Sequence, residues 1–351
     1  MGRTKKEEII STGIVDRAGL EEEIKFLVRS FYDLQKLRIQ TGNRIVSSVK
    51  IQLGIKPSTK EDQDKDIDNF LSKLKKEYKL ISDAVIENDI TIKSFITSHL
   101  ADISDSEDDK KRKSADVKLK LIRNQESFRL MDIYSNMTKQ EENMQKVVEK
   151  RIAGHPLMEY LNSEECKGCG PLMSACVIAY FDIDKAKYES SFVRYAGLDP
   201  VYVTRKKKKD DTEESTYQIG RNRSVRVKSK YIDKDGIEKE KEGPGYNVEL
   251  HDILLGRLGP CFIKCRGSFY EQIYRDQRHR LDLRDDTKNF SDGHKHAMAN
   301  RYMITCFVKN VFAEWKHAIG EDVPEQYQVS KLRREPHIGA SATKYATHVE
   351  E

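Results

Sequence analysis

No stretch of this 351-residue chain approaches the roughly 20 consecutive apolar residues that a membrane-spanning helix requires. The opening residues, MGRTKKEEIISTG, lack the apolar core of a secretory signal, which points to a cytoplasmic protein. Cysteine is scarce. Cys166, Cys169, Cys176, Cys261, Cys265 and Cys306 sit mostly inside apolar helical patterns, as buried free thiols do in a reducing compartment, and this excludes a disulfide framework. Net charge is also nearly absent, at +5 from 63 basic and 58 acidic residues, so the whole molecule is no generic polycation. What matters is where the basic residues cluster. Hydrophobic residues reach only 37% against 34% charged, a balance that suits long exposed helices better than one large core.

What the chain does contain is helical periodicity. Leu20, Ile24, Leu27, Phe31 and Leu34 recur at spacings of 4, 3, 4 and 3, a seam that a coiled coil or an ordinary helix bundle accommodates. Phe70, Leu71, Leu74, Tyr78 and Leu80 predict a second helix, and helical patterning resumes from about Val117 to Arg151. Between them ADISDSEDDKKRKS, residues 101–114, has no apolar period and is a charged linker. Further on, HPLMEYLNSEE predicts a short helix opened by Pro156. LMSACVIAYFD predicts an apolar helix, and FVRYAGLDP a third one stopped by Gly197 and Pro200. VTRKKKKDDTEES is a charge-run linker; after it, alternation at Val225, Val227 and Tyr231 with an Asp235-Gly236 turn predicts a β-hairpin. Helices return over 247–280 and 294–319, the last with an apolar stripe of Ile304, Val308, Val311 and Trp315 and a separate polar stripe of Arg301, Thr305, Lys309 and Lys316.

The expected fold is therefore mainly α. Residues 1–150 form a helical, coiled-coil-like region, 151–200 a helix-hairpin-helix module, and 201–330 a small α+β domain of a β-hairpin and helices. Residues 331–351 form a polar tail.

The stretch EECKGCGPLMSACVIAYF carries two chemistries. Cys166 and Cys169, joined in space by Cys261 and Cys265, would offer four zinc ligands, although nothing in the spacing brings the two pairs together. Gly168, Gly170 and Pro171 between two short helices instead suggest a hairpin whose backbone amides meet a DNA phosphate; an ordinary helix–helix turn has the same pattern. A second basic element follows, because Arg221, Arg223, Arg226, Lys228 and Lys230 have no acid between them and suit phosphate contact. His294 and His296 have the chemistry of metal ligands or bases, but their place at the start of the last long helix favours facing solvent or phosphate, and His251 beside Asp252 is a surface pair.

The stretch GCGPLMSACVIAYFDIDKAKYESSFVRYAGLDP resembles the conserved segment of the insertion-sequence one-ten transposases, also called bridge-RNA-guided recombinases. The likeness runs through Tyr195, Ala196, Gly197, Leu198 and Pro200, through GRNRSVRVKSK, and through the closing helices, covering roughly residues 155 to 320. It implies DNA recombination and transposition of a mobile element by a nucleophilic serine that becomes covalently linked to DNA phosphate. Ser224 is the best positional match and Ser229 the second choice, one extra residue breaking the family spacing. The resemblance also implies DNA as partner, a guide RNA, assembly of several copies of the chain, and Mg²⁺ as cofactor. One departure stands out. Family members begin with a RuvC-like domain whose four carboxylates hold magnesium; here only IISTGIVDR, residues 9–17, precedes the helices, so no metal ligand is carried over. The alternative expectation is a non-catalytic DNA-binding or architectural protein derived from such an enzyme.

Overall fold

The computed structural model describes residues 17–55, 63–88, 91, 92, 94, 121–204, 216–220, 226–233, 236–331 and 333. The architecture is mainly helical. Three long helices come first: α1 (Arg17–Gln52), α2 (Gln63–Asn88) and α3 (Gln125–Ile152). The short helices α4 (Met158–Leu161), α5 (Pro171–Tyr180) and α6 (Glu189–Tyr195) follow. Four strands come next, β1 (Pro200–Thr204), β2 (Thr216–Gly220), β3 (Val227–Ile232) and β4 (Glu238–Gly243), paired as two separate antiparallel two-stranded sheets, β1 with β2 and β3 with β4. Helices α7 (Val248–Ile253), α8 (Gly259–Lys264), α9 (Phe269–Leu283), α10 (Asp292–Ala318) and α11 (Tyr327–Ser330) are the last elements among the described residues. No helix among the described residues is long and apolar enough to cross a membrane.

The chain divides into two compact units. One is Arg29–Val147; the other joins the residues up to Val28 with those from Val148 onward. In the first, Ile45, Val46 and Val49 of α1 pack with Leu71, Leu74 and Ile81 of α2 and with Phe128, Met131 and Tyr134 of α3. Gly42 permits this closeness, since a Cβ there would stand 2.9 Å from the Tyr134 ring. The carboxylate of Glu77 accepts the Leu121 and Ile122 amides, and Asn124 caps α3 by accepting the Ser127 amide at 2.8 Å. The helix therefore starts at Gln125, later than the sequence periodicity from Val117 suggests. The charged stretch 101–114 lies outside the described residues.

The second unit is organised around α10, whose Ile304, Val308, Val311 and Trp315 are fully buried, as are Met303 and Phe307 on an adjoining face. Phe262, Tyr270 and Phe307 form one aromatic cluster, and Phe181, Phe192, Phe312 and Trp315 another. Helix α10 also packs along α6, and the polar stripe helps make that contact, with Arg301 bonding the carbonyl of Gly197 and Lys309 near the buried Glu189. The 247–280 helix is interrupted. A π-helical segment, Leu254–Leu258, separates α7 from α8, and the side chain of Asn300 donates to its Leu255 carbonyl at 3.0 Å. A turn through Gly267 at φ +76° separates α8 from α9.

Candidate nucleic-acid interface

The Cys166–Pro171 turn is built from its buried side outward. The Tyr160 and Tyr270 hydroxyls meet at 2.5 Å, and Asn310 donates to Tyr270 at 3.0 Å, fixing α4 against α9 and α10. A 3-10 turn, Glu164–Cys166, then leads into the glycines. Gly168 takes φ +108°, and a Cβ on it would lie 3.1 Å from both the Cys261 carbonyl oxygen and the Cys265 Sγ. The room this glycine leaves is thus filled by helix α8 rather than held open for a ligand. Gly170 has an ordinary φ of −68°, caps α5 and is exposed, with Pro171 at the first helical position. Helix geometry leaves the first-turn amides of Leu172 and Met173 without intrahelical acceptors. Exposed Lys167 lies on the turn itself, and exposed Lys264, the last residue of α8, and Arg266, in the turn after it, flank Cys265.

The same packing brings the two cysteine pairs close. Burial raises the thiol pKa of Cys166 and pushes that of Cys169 up to about 12, which favours the protonated form over the thiolate a metal requires. Among the described residues no three His, Cys, Asp or Glu side chains are arranged to hold a metal ion.

Several long-range hydrogen bonds converge on Tyr195–Gly197. Helix α6 ends in a Schellman pattern, with the Gly197 amide bonding the Arg194 carbonyl at 3.0 Å and the Leu198 amide the Val193 carbonyl at 2.9 Å. Gly197 is left-handed at φ +66°, and a Cβ on it would stand 2.4 Å from the Tyr246 ring. Three successive carbonyls are then claimed by three distant donors. The Asn247 amide bonds Tyr195, His251 Nδ1 bonds Ala196 at 2.9 Å, and Arg301 bonds Gly197 at 2.8 Å. Asn247 also donates its side-chain amide to the Tyr195 hydroxyl and caps α7 by accepting from Leu250. Burial lowers the Arg301 pKa, opposed by Tyr246 and Asp199. His251 is therefore a packing residue of this corner, its imidazole Nδ1–H engaged by a carbonyl. Tyr246, Asn247, His251 and Arg301 escape a sequence reading because each acts on a segment 45 or more residues away in the chain. Only the Asn247 cap, an Asn before an apolar run, leaves a local signal.

From this corner β1 runs out to pair with β2, Pro200 opposite Gly220. Arg221, Arg223 and the candidate nucleophile Ser224 come directly after β2 and lie outside the described residues. Ser229 is on β3 opposite Lys241, and its side chain is likewise outside the described set. Arg226, Lys228 and Lys230 are exposed, with the last two on one face of β3. Across the strands Lys228 faces Glu242 and Lys230 faces Glu240, while Lys230 forms an ion pair with Glu238 at 3.1 Å. Lys228 and Lys230 are thus balanced by acids across the ladder. Elsewhere, Ser291 caps α10 by accepting the His294 amide, and His296 bonds the Tyr274 hydroxyl through Nδ1 at 2.7 Å.

No family model matches the chain, and neither a curated protein nor a solved structure is significantly similar to it.

Proposed function

We propose that this chain is a DNA recombinase of the transposase type, acting on DNA phosphodiesters through Ser224 with Ser229 as the second choice. In the step it would perform, the serine Oγ bonds phosphorus as a P–O bond to deoxyribose breaks; a base takes the serine proton and the leaving sugar oxygen gains one. The observation that carries the reading is the corner itself. Tyr195, Ala196, Gly197, Leu198 and Pro200, by which the chain resembles the insertion-sequence one-ten transposases, form the segment whose Tyr195, Ala196 and Gly197 carbonyls Asn247, His251 and Arg301 hold. That corner launches β1, which pairs with β2 just ahead of Arg221, Arg223 and Ser224.

Phosphate contact would come from the exposed turn at Gly170 and Pro171, through the first-turn amides of α5 in a helix-hairpin-helix reading of α4 to α5, with Lys167, Lys264 and Arg266 beside them. The strand residues Arg226, Lys228 and Lys230 would add to it. Among the described residues no cluster of side chains fits a magnesium site. Several copies of the chain, and a guide RNA, belong to the same reading, since strand exchange engages two duplexes.

The test is incubation of the full chain with labelled DNA carrying the flanks of its own gene, with magnesium, comparing wild type with Ser224→Ala and Ser229→Ala. A protein–DNA adduct that survives denaturation and disappears in Ser224→Ala is the expected result. Salt-sensitive binding, equal in all three proteins and without an adduct, would leave the architectural reading in its place.

A further inference from the structure

A cleft of about 410 Å³ opens beside the corner, between the first turns of α1, the end of α5 and helix α6. Its floor is apolar, with the Phe181 and Phe192 rings stacked at 4.2 Å beneath it. One wall is the ring of Tyr195, which is 45% exposed even though Asn247 holds its hydroxyl. An exposed aromatic face whose orientation is already fixed is a preorganised stacking surface. The rim is polar and almost balanced in charge. Lys185 pairs with Asp182 at 2.6 Å, Lys25 with Glu22 at 3.7 Å, and Arg17 holds Asp184 through bonds of 2.5 and 2.6 Å.

These features select a ligand class. A compact anion would meet four carboxylates, counting Glu21, and a bare cation would meet Lys25 and Lys185. A flat heterocycle with N–H donors and acceptors along its edge satisfies both, with its face against Tyr195 and its edge at the paired charges. We infer that the cleft takes an unstacked nucleobase of a single-stranded nucleic acid, its ring on Tyr195 and its edge toward Asp182 and Glu22. The ammonium groups of half-buried Lys25 and exposed Lys185 then meet the flanking phosphates. The inference rests on the reading that this chain handles nucleic acid, and it assigns the cleft to a strand that has left its duplex.

The experiment uses the full chain and a single-stranded oligonucleotide carrying 2-aminopurine, whose fluorescence is quenched on stacking. Saturable quenching is expected in wild type and in Tyr195→Phe. A drop of about tenfold or more in affinity is expected in Tyr195→Leu, the scale of one base–aromatic stack. Should Tyr195→Leu lower the melting temperature, Lys25→Ala/Lys185→Ala decides the matter. Both are rim residues, and the double variant should flatten the salt slope by about 0.7 for each phosphate no longer neutralised. Unchanged quenching in Tyr195→Leu and an unchanged slope in the double variant would overturn the inference, as would displacement of the strand by a neutral aromatic peptide. The adduct assay separates the two ideas. A Ser224-dependent adduct without Tyr195-dependent quenching sinks the cleft alone, and the reverse outcome sinks the recombinase alone.

Discussion

The Tyr195–Pro200 corner and the β3–β4 ribbon both stand out in the sequence, one for its glycine and one for its basic run, and the structure treats them in opposite ways. At the corner, three consecutive carbonyls are bonded by donors from α10 and from the start of α7, and Gly197 is wedged against Tyr246. In the ribbon, Lys228 and Lys230 face only glutamates across the strands, and Gly236 at its turn has nothing within 4 Å of a notional Cβ. A glycine with positive φ can therefore mark either a packing constraint or a mere change of direction. A run of cations along one strand does not make a cationic surface when its partner strand carries the acids. The difference lies in what surrounds each motif, which local sequence does not state.

The two glycines offer the sharpest way to break this comparison. Both are left-handed, Gly197 at φ +66° and Gly236 at φ +74°. Alanine at either one incurs the backbone strain, about 1 to 2 kcal/mol. Only Gly197→Ala adds overpacking against the Tyr246 ring, about 1 to 3 kcal/mol more. Chemical denaturation should find Gly197→Ala less stable than Gly236→Ala by that second amount. Equal losses would mean that the corner yields as readily as the ribbon's turn, and the contrast would fail.

A smaller effect is expected at the other end of α6, the helix that leads into the corner. Glu189 is buried there, accepts the Tyr327 amide at 2.9 Å, and has its carboxyl pKa raised by burial above the ordinary 4.5, against the opposing pull of that amide and of Lys309. The folded chain thus holds this proton more tightly than the unfolded one does. Between 4.5 and the raised value it binds more protons than the unfolded chain, so this group's contribution is complete below 4.5 and is lost as pH rises. Glu189→Gln keeps an acceptor for the Tyr327 amide and removes the titration. Thermal melts across that window should show wild type losing stability with rising pH relative to Glu189→Gln. Asp182 and Glu141, lowered by Lys185 and Arg38 against the opposing effect of burial, slope the other way in both proteins and cancel in the difference. Parallel curves would mean that Glu189 titrates alike in the folded and unfolded chain, and a wild type that gains stability with rising pH would mean that Lys309 holds the carboxylate ionised.

The helical character of the chain is legible from periodicity, because α1, α2, α3 and α10 each bury a stripe that recurs every three or four residues. The buried Ile304, Val308, Val311 and Trp315 follow the spacing that the sequence displays. Strand β1 is not legible. Val203 and Thr204 run into a lysine-rich stretch, and their pairing with Thr216 and Tyr217 is set across that gap rather than by alternation. Nor are His251 and Arg301 legible as corner residues. A His beside an Asp looks like a surface pair, and an Arg in an amphipathic helix looks solvated, until the segment they bond is known. The closeness of Cys265 to Gly168 is a tertiary fact of the same kind, joining residues nearly a hundred positions apart.

The ribbon is where stability should change least and where its meaning for DNA can still be decided. Opposite charges across an antiparallel pair contribute about 0.2 to 1 kcal/mol each, and exposed pairs such as Lys230–Glu238 fall near the low end. Glu238→Gln/Glu240→Gln/Glu242→Gln should therefore shift the denaturation midpoint only slightly. If the ribbon lies against phosphates, removing those acids frees Lys228 and Lys230 to neutralise them. DNA affinity should then rise, and the dependence of log K on log salt should steepen by up to about 1.8, two phosphates at about 0.9 each. An unchanged slope would mean that these lysines serve only their own hairpin. Phosphate contact would then fall to Lys167, Lys264 and Arg266 at the Gly168–Pro171 turn, and the glycine motif, not the basic run, would mark where DNA sits.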